Sequence, residues 1–368
     1  MEKNQSSITC TQCGQPYPTS GAPYLCACGG VFDFSAFPVY HPPKINYSGL
    51  WKHEKSLGLP VTSPEVTLGE GNTPLLQGMY HRCELYFKME SQNPTGSYKD
   101  RGTAVLVSFL LSRGVISAVE DSSGNAGASF AAYAARAGME ARVFIPESAS
   151  GPKRWQIEMA HARVERIPGP RAEAARAVLN AVQEGSAYAS HAYMPFGLAG
   201  IATIAYEVYE TLGVVPGTVI APVGHGGLLY GIMLGFEAIR DAGFISRTPY
   251  FIGVQPENCQ PAVKAFQRGS AVIEDVPTTP TIAEGTSVIK PVRAGAILNR
   301  MLAGGGKMVA AREDQIRNAY SELACQGIFC EPTSSLAVIP ILDDKIKLSE
   351  PVVVIMSGSG LKVNSIET

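Results

Sequence analysis

Residues 218–236 read Thr-Val-Ile-Ala-Pro-Val-Gly-His-Gly-Gly-Leu-Leu-Tyr-Gly-Ile-Met-Leu-Gly-Phe. The opening run, Thr218 to Val223, has the composition of a buried strand. After it, Leu228, Leu229, Ile232, Met233 and Phe236 recur at i, i+1, i+4, i+5 and i+8, one face of a helix. Working outward, the same alternation repeats. Glu84 to Met89 reads as a strand and Thr103 to Ser112 as a helix dense in apolar residues. Ala141 to Ile145 reads as a strand entered from the Ala-rich helix Ala126–Ala137, and Val352 to Met356 as a strand covered on both faces. Strands alternating with helices predict a mostly parallel sheet wrapped by helices, an α/β fold.

Composition sets the bounds. The chain has 368 residues, 45% apolar and 17% charged, with Lys+Arg 30 against Asp+Glu 32 and a net charge of −2. That length predicts two domains with a small appendage. Sparse, balanced charge argues against a disordered chain and against an electrostatic nucleic-acid binder. No apolar run reaches the ~18 residues a membrane span needs. The start, Met1-Glu2-Lys3-Asn4-Gln5, has no apolar stretch of signal-peptide type. A soluble, cytoplasmic protein is expected, with its eight cysteines as thiols or metal ligands.

Four of those cysteines fall in the first 28 residues: Cys10, Cys13, Cys26 and Cys28. Two pairs on tight turns can converge on one Zn²⁺, although the second pair is C-x-C rather than the usual C-x2-C. A ribbon that folds without metal is the alternative. Cys83, Cys259, Cys325 and Cys330 are scattered and read as inert thiols. Residues 31–60 read as a connector, because Pro38, Pro42, Pro43 and Pro60 interrupt regular structure.

Three further stretches can carry chemistry. In Asn93-Pro94-Thr95-Gly96-Ser97-Tyr98-Lys99-Asp100-Arg101-Gly102, a turn leads to a helix beginning near Lys99. A helix N-terminus lowers the cost of the neutral amine that Schiff-base chemistry needs, though an ordinary first-turn lysine has the same position. Ser122-Ser123-Gly124-Asn125-Ala126-Gly127 opens a helix with hydroxyls and first-turn N–H groups, either a carboxylate receptor or a plain N-cap. Met356-Ser357-Gly358-Ser359-Gly360-Leu361-Lys362 follows the final apolar strand, where a Ser357 hydroxyl can point into a ligand crevice. The opening stretch adds Gly224-His225-Gly226-Gly227, suited to a single phosphate or to a tight turn; Leu229 stands where a dinucleotide fingerprint needs its third glycine.

Taken in order, N-P-T-G-S-Y-K-D-R-G, S-S-G-N, the glycine loop and S-G-S-G-L-K resemble the pyridoxal-phosphate enzymes of the tryptophan-synthase β fold (fold type II). Within them the chain is similar to the threonine synthases, including Leu68-Gly69-Glu70-Gly71-Asn72-Thr73-Pro74-Leu75 and the N-terminal ribbon. The resemblance implies two open, mostly parallel twisted sheets wrapped by helices, with a zinc-ribbon-like appendage. It implies a Cys-rich segment and connector over 1–45, a larger cofactor domain over 46–109 plus 201–368, and a smaller mobile domain over 110–200. It implies a homodimer acting on a small-molecule amino acid, with no nucleic-acid or membrane partner.

The resemblance also assigns roles. Lys99 is the Schiff-base lysine and general base for elimination or replacement at the β or γ carbon. Asn125 bonds the cofactor's phenolic oxygen; Gly224, His225, Gly226 and Gly227 hold its phosphate; Ser357 meets its pyridine nitrogen. Ser122, Ser123, Gly124, Asn125 and Ala126 bind the substrate carboxylate. Threonine synthases that use O-phosphohomoserine carry an S-x-N-P-x-R segment, which aligns with Ala192-Tyr193-Met194-Pro195-Phe196-Gly197. The serine and arginine positions are thus Ala192 and Gly197, and a bidentate phosphate partner is missing. This opens an alternative: a serine/threonine dehydratase-like or β-replacement enzyme acting on an unphosphorylated amino acid. Replacement contacts for a phosphate would come from His225, Lys153 or Arg154.

Overall fold

A computed structural model describes residues 7–363; Met1–Gln5, where no signal-type stretch is expected, lies outside them. Twelve strands form among the described residues. They are β1 (Ser7–Cys10), β2 (Phe32–Ala36), β3 (Leu75–Tyr80), β4 (Cys83–Lys88), β5 (Ser117–Glu120), β6 (Glu140–Pro146), β7 (Arg163–Ile167), β8 (Ala187–Tyr188), β9 (Thr218–Pro222), β10 (Tyr250–Pro256), β11 (Gly306–Ala311) and β12 (Val352–Ile355). The helices that position the site are α1 (Lys99–Ser112), α2 (Asn125–Arg136), α3 (Pro152–Met159), α4 (Arg171–Gln183), α5 (Gly197–Leu212) and α6 (Gly227–Asp241).

The chain divides into two compact units. One comprises the residues up to Gly71, with Asn93–Thr95 and Lys99–Ile201. Its sheet, in the order β7-β6-β5-β8, is parallel throughout. Alternation along β5 sends Ala118 into a core with Phe109, Phe130 and Tyr133, and Val119 into a second core with Phe144, Val178 and Tyr188. Burying both faces is what places two apolar residues side by side at Ala118 and Val119.

The other unit comprises Asn72–Gln92, Gly96–Tyr98 and the chain from Ala202 onward. Its six strands run in the order β11-β10-β9-β12-β4-β3, parallel except for the β3–β4 hairpin. The hairpin lies at the edge, which a parallel sheet tolerates. Val352, Val354, Ile220, Ile252 and Leu85 share one core. Parallel and mixed sheets wrapped by helices are the expected α/β architecture.

The connector reading of residues 31–60 is corrected. Phe32–Ala36 is a strand, paired antiparallel with Ser7–Cys10, and Leu50–Ser56 is a 3-10 helix. The prolines fall at 38, 42, 43 and 60, outside both elements, so they punctuate rather than forbid regular structure.

Candidate active site

In the first unit, the site is built on two helix N-termini. Asp100, fully buried, accepts from the Thr95 N–H at 2.7 Å, the Thr95 hydroxyl at 2.6 Å and the Ser129 hydroxyl at 2.7 Å. Ser129 lies one turn beyond Asn125, so this carboxylate ties the start of α1, at half-buried Lys99, to the start of α2. Between β5 and α2 the chain runs through Asp121, Ser122, Ser123 and Gly124, and Gly124 donates its N–H to Ser122 Oγ at 3.2 Å. Ser122 and Ala126 are buried; Ser123, Gly124 and Asn125 are half-buried. Hydroxyls and first-turn N–H groups therefore gather at one helix end, an arrangement chemically able to receive a carboxylate.

The strand feeding this loop ends in an acid that sequence reasoning missed. Glu120 is fully buried and lies 2.8 Å from His191 Nδ1, while its Oε2 is buried without a partner among the described residues. Burial pushes Glu120 up to about 8 against the pull of Arg171 and Lys99. Burial, then the Lys99 ammonium, hold His191 well below its usual 6.5. The pair thus keeps one proton between them. Asp121 next to it accepts from the Tyr188 hydroxyl at 2.7 Å, and Arg171 stands 4.0 Å away. An acid ending an apolar strand just before Ser122 was a usable signal; its partner, 71 residues away, was not.

This pair makes a stability prediction. Unfolded, the glutamate titrates near 4.5 and the histidine near 6.5, whereas the folded pair keeps its proton to about 8. Between pH 6.5 and about 8 the folded state binds the extra proton, so stability falls as pH rises there, by about 1.4 kcal/mol per unit for a full proton. Glu120→Gln cannot lose that proton. The wild-type unfolding midpoint should therefore decline across this window relative to Glu120→Gln, and a pH-independent difference would rule the account out.

In the second unit, three loops follow the C-terminal ends of β4, β9 and β12, which are neighbours in the sheet. After β9, Gly226 takes φ +93°, a left-handed conformation suited to glycine, and α6 begins at Gly227. A Cβ on Gly227 would meet no atom within 4 Å, so this helix N-terminus is an open cradle. Half-buried His225 accepts the Arg293 N–H on its carbonyl at 2.9 Å. After β12, Ser357 is buried with its Oγ 3.0 Å from Ser334 Oγ. Gly358 donates its N–H to Ser334 Oγ at 2.9 Å, leaving Ser334's own proton for Ser357 or for the Gly358 carbonyl. Tyr98, the residue before Lys99, donates its N–H to the Ser357 carbonyl at 3.0 Å. Ser97 Oγ is buried there with no partner among the described residues.

Two positions weighed for phosphate recognition have structural explanations. A Cβ on Gly197 would lie 3.1 Å from the Gly102 carbonyl, so α1 and α5 cross where the family's arginine would stand. Arg154 Nε is 2.9 Å from Glu158, one turn along α3.

The four Cys Sγ atoms lie within 4.8 Å of one another. The 3.5, 3.7 and 3.4 Å separations of Cys10–Cys28, Cys13–Cys26 and Cys13–Cys28 compare with about 3.8 Å between thiolates on a tetrahedral zinc. Backbone N–H groups of Cys13 and Gln12 draw the Cys10 thiol down to about 6, while, against the pull of the Gly30 N–H, the neighbouring cysteine sulfurs push Cys28 up to about 12, so the cluster shares its protons unevenly.

The first unit thus holds a lysine-bearing helix start and a hydroxyl-rich loop, and the second an open glycine turn at a helix N-terminus and a buried serine pair. The chain belongs to the family described as pyridoxal-phosphate dependent enzymes, whose sequence profile matches residues 66–358. It is similar to the threonine synthase of Methanocaldococcus jannaschii, with 33% identity covering 96% of this chain and 92% of that protein. The threonine synthase of Methanosarcina acetivorans is 32% identical, covering 90% and 85%. Among solved structures, a threonine deaminase from T.th. has a TM-score of 0.68 at 25% identity, covering 80% of this chain and 94% of that one. The chain is a pyridoxal-phosphate-dependent lyase/synthase of the threonine synthase-like kind. The cofactor fits the residues present: the Gly227 cradle has room for a phosphate beside first-turn N–H groups, and buried Ser97 Oγ has unused hydrogen-bonding capacity. Among the described residues no helix is long and apolar enough to cross a membrane.

Proposed function

We propose that this chain forms threonine from O-phosphohomoserine, with phosphate leaving the γ carbon and water adding at the β carbon. The observation that carries the reading is its similarity to a threonine synthase over 96% of the chain. Bound, the cofactor supplies an electron sink for charge developing on the substrate carbons. Lys99 holds the cofactor and moves protons at the α carbon as general base. Ser122, Ser123, Gly124, Asn125 and Ala126 receive the substrate carboxylate, and Asn125 also bonds the cofactor's phenolic oxygen. Gly224, His225, Gly226 and Gly227 hold the cofactor phosphate through backbone N–H groups. Ser357, oriented by Ser334, meets the pyridine nitrogen with a hydroxyl, which does not enforce protonation as a carboxylate would.

The test is release of phosphate and threonine from O-phosphohomoserine by purified, cofactor-loaded protein. Equal amounts of both are expected. Position 197 being a glycine, with no side chain to offer, His225 and Lys153 are then the first residues to replace in search of the substrate's phosphate contacts. Release of neither, with the cofactor's absorbance intact, would overturn the substrate and turn attention to unphosphorylated amino acids.

The same reading makes Cys10, Cys13, Cys26 and Cys28 the ligands of one structural Zn²⁺ in a ribbon closed by β1 and β2. Elemental analysis of protein purified without chelator should give one zinc per chain, and its absence would remove the metal. A cytoplasmic homodimer completes the reading, and sedimentation velocity tests the dimer.

A further inference from the structure

Tyr17 and Tyr24 lie on the twelve residues between Cys13 and Cys26, the loop that an ion shared by the four cysteines would close. The Tyr17 hydroxyl donates to the Pro23 carbonyl at 3.0 Å, tying the loop across itself. Both rings reach beyond it. Tyr17 meets Phe196 edge-on at 5.0 Å and Phe109 at 6.0 Å, and Phe109 and Phe196 stack at 3.4 Å. Phe109 is on α1, the helix that starts at Lys99, and Phe196 immediately precedes α5. Tyr24 meets Tyr188 edge-on at 5.1 Å and Tyr193 at 5.7 Å. Tyr188 in turn holds Asp121, next to Ser122. One short loop therefore grips both ends of segment 188–196, which carries His191, and reaches the receptor loop through a single hydrogen bond.

Apart from isolated bridges at Pro16 and Leu25, the Tyr17 N–H bond to the Ile8 carbonyl at 2.8 Å and an Arg113 bond to the Thr19 carbonyl, the loop has no helix or strand, so the placing of its two aromatic arms also depends on how its ends are held. Joining the ends through an ion removes chain entropy that the aromatic contacts would otherwise have to offset. We infer that the Cys-rich segment is a metal-dependent brace, in which Tyr17 and Tyr24 are positioning residues for segment 188–196 and the Ser122–Asn125 loop. The inference rests on the zinc and substrate assignments proposed above, and the experiment separates it from both.

The experiment is amide hydrogen exchange on the holoenzyme, with zinc measured in the same samples. Four proteins are compared: wild type, Cys13→Ser/Cys26→Ser, Tyr24→Ala and Tyr24→Phe. In the serine pair and in Tyr24→Ala, peptides within 186–198 should exchange about 3- to 10-fold faster, the range set by losing one or two aromatic contacts. Tyr24→Ala should keep its zinc. Tyr24→Phe should match wild type, because the contact is made by the ring. KM for the substrate should rise by a similar factor in the two fast-exchanging proteins, with the cofactor absorbance unchanged.

Faster exchange confined to residues 7–36 would overturn the brace. So would faster exchange throughout 218–256, which would mean general unfolding, or a Tyr24→Phe protein as fast as Tyr24→Ala. Zinc-free wild-type protein with slow exchange in 186–198 would overturn the metal dependence. Exchange needs no substrate. A protein that leaves O-phosphohomoserine untouched yet shows the local pattern therefore supports the brace while removing the substrate reading.

Discussion

Replacing Lys99 by alanine will abolish the borohydride-reducible link between cofactor and chain and lower turnover by roughly 10³-fold or more, since a positioned general base alone contributes about 10²- to 10⁴-fold. Lys99 is half-buried in the first turn of α1, and the turn before it is held by Asp100, which accepts from the Thr95 N–H and hydroxyl. The fold should therefore survive, and the unfolding midpoint of the cofactor-free variant should match that of cofactor-free wild type. Lys99→Arg retains the positive charge but cannot supply a neutral amine, because a guanidinium is not deprotonated in proteins. It should be as inactive as the alanine variant. Peptide mapping after borohydride reduction provides the check: an adduct on a different lysine, or substantial turnover by Lys99→Arg, would refute the assignment.

Replacing Lys88 by methionine should cost about 3–5 kcal/mol of stability, the usual penalty for removing one partner of a buried ion pair. Lys88 Nζ lies 2.6 Å from Glu207 Oε2 with both side chains about 2% exposed, and it also donates to the Thr73 carbonyl at 2.7 Å. Methionine fills a similar volume but removes the Lys88 ammonium from the buried Glu207 carboxylate. Adding Glu207→Gln should recover much of the loss. The amide oxygen can still accept the Asn72 N–H, which Glu207 Oε1 takes at 2.8 Å. Urea unfolding of the two single variants and the double variant measures the coupling. Additive effects would show that the pair acts independently, contrary to this account.

Much of the architecture is legible locally. Val352–Ile355 and Thr218–Pro222 are apolar because both faces of their sheet are covered, and a run of that kind declares itself without reference to any partner. The glycine loop and the S-S-G-N turn are legible for the same reason: each sits where a strand or helix ends. The pairing of β1 with β2 was not legible. Ser-Ile-Thr-Cys and Phe-Asp-Phe-Ser-Ala are short and partly exposed, and each becomes a strand by hydrogen-bonding to the other across the cysteine loop. Glu120 lies two residues before the Ser122–Gly127 motif and outside it. The acid matters because His191 reaches it, and nothing near residue 120 announces that contact.

The sequence by itself determined the succession of strands and helices, the four motif loops at their ends and the family to which the chain is similar. These depend on periodicity, turn chemistry and residue type, all properties of neighbouring residues. Only the tertiary structure decided which distant groups share a buried environment. Lys88 meets Glu207 across 119 positions, Tyr24 reaches Tyr188, and Gly102 faces Gly197 closely enough that any Cβ at 197 would crowd its carbonyl. Such juxtapositions depend on how sheets and helices pack, and burial then raises the energetic consequence of each polar partner far above its worth in water.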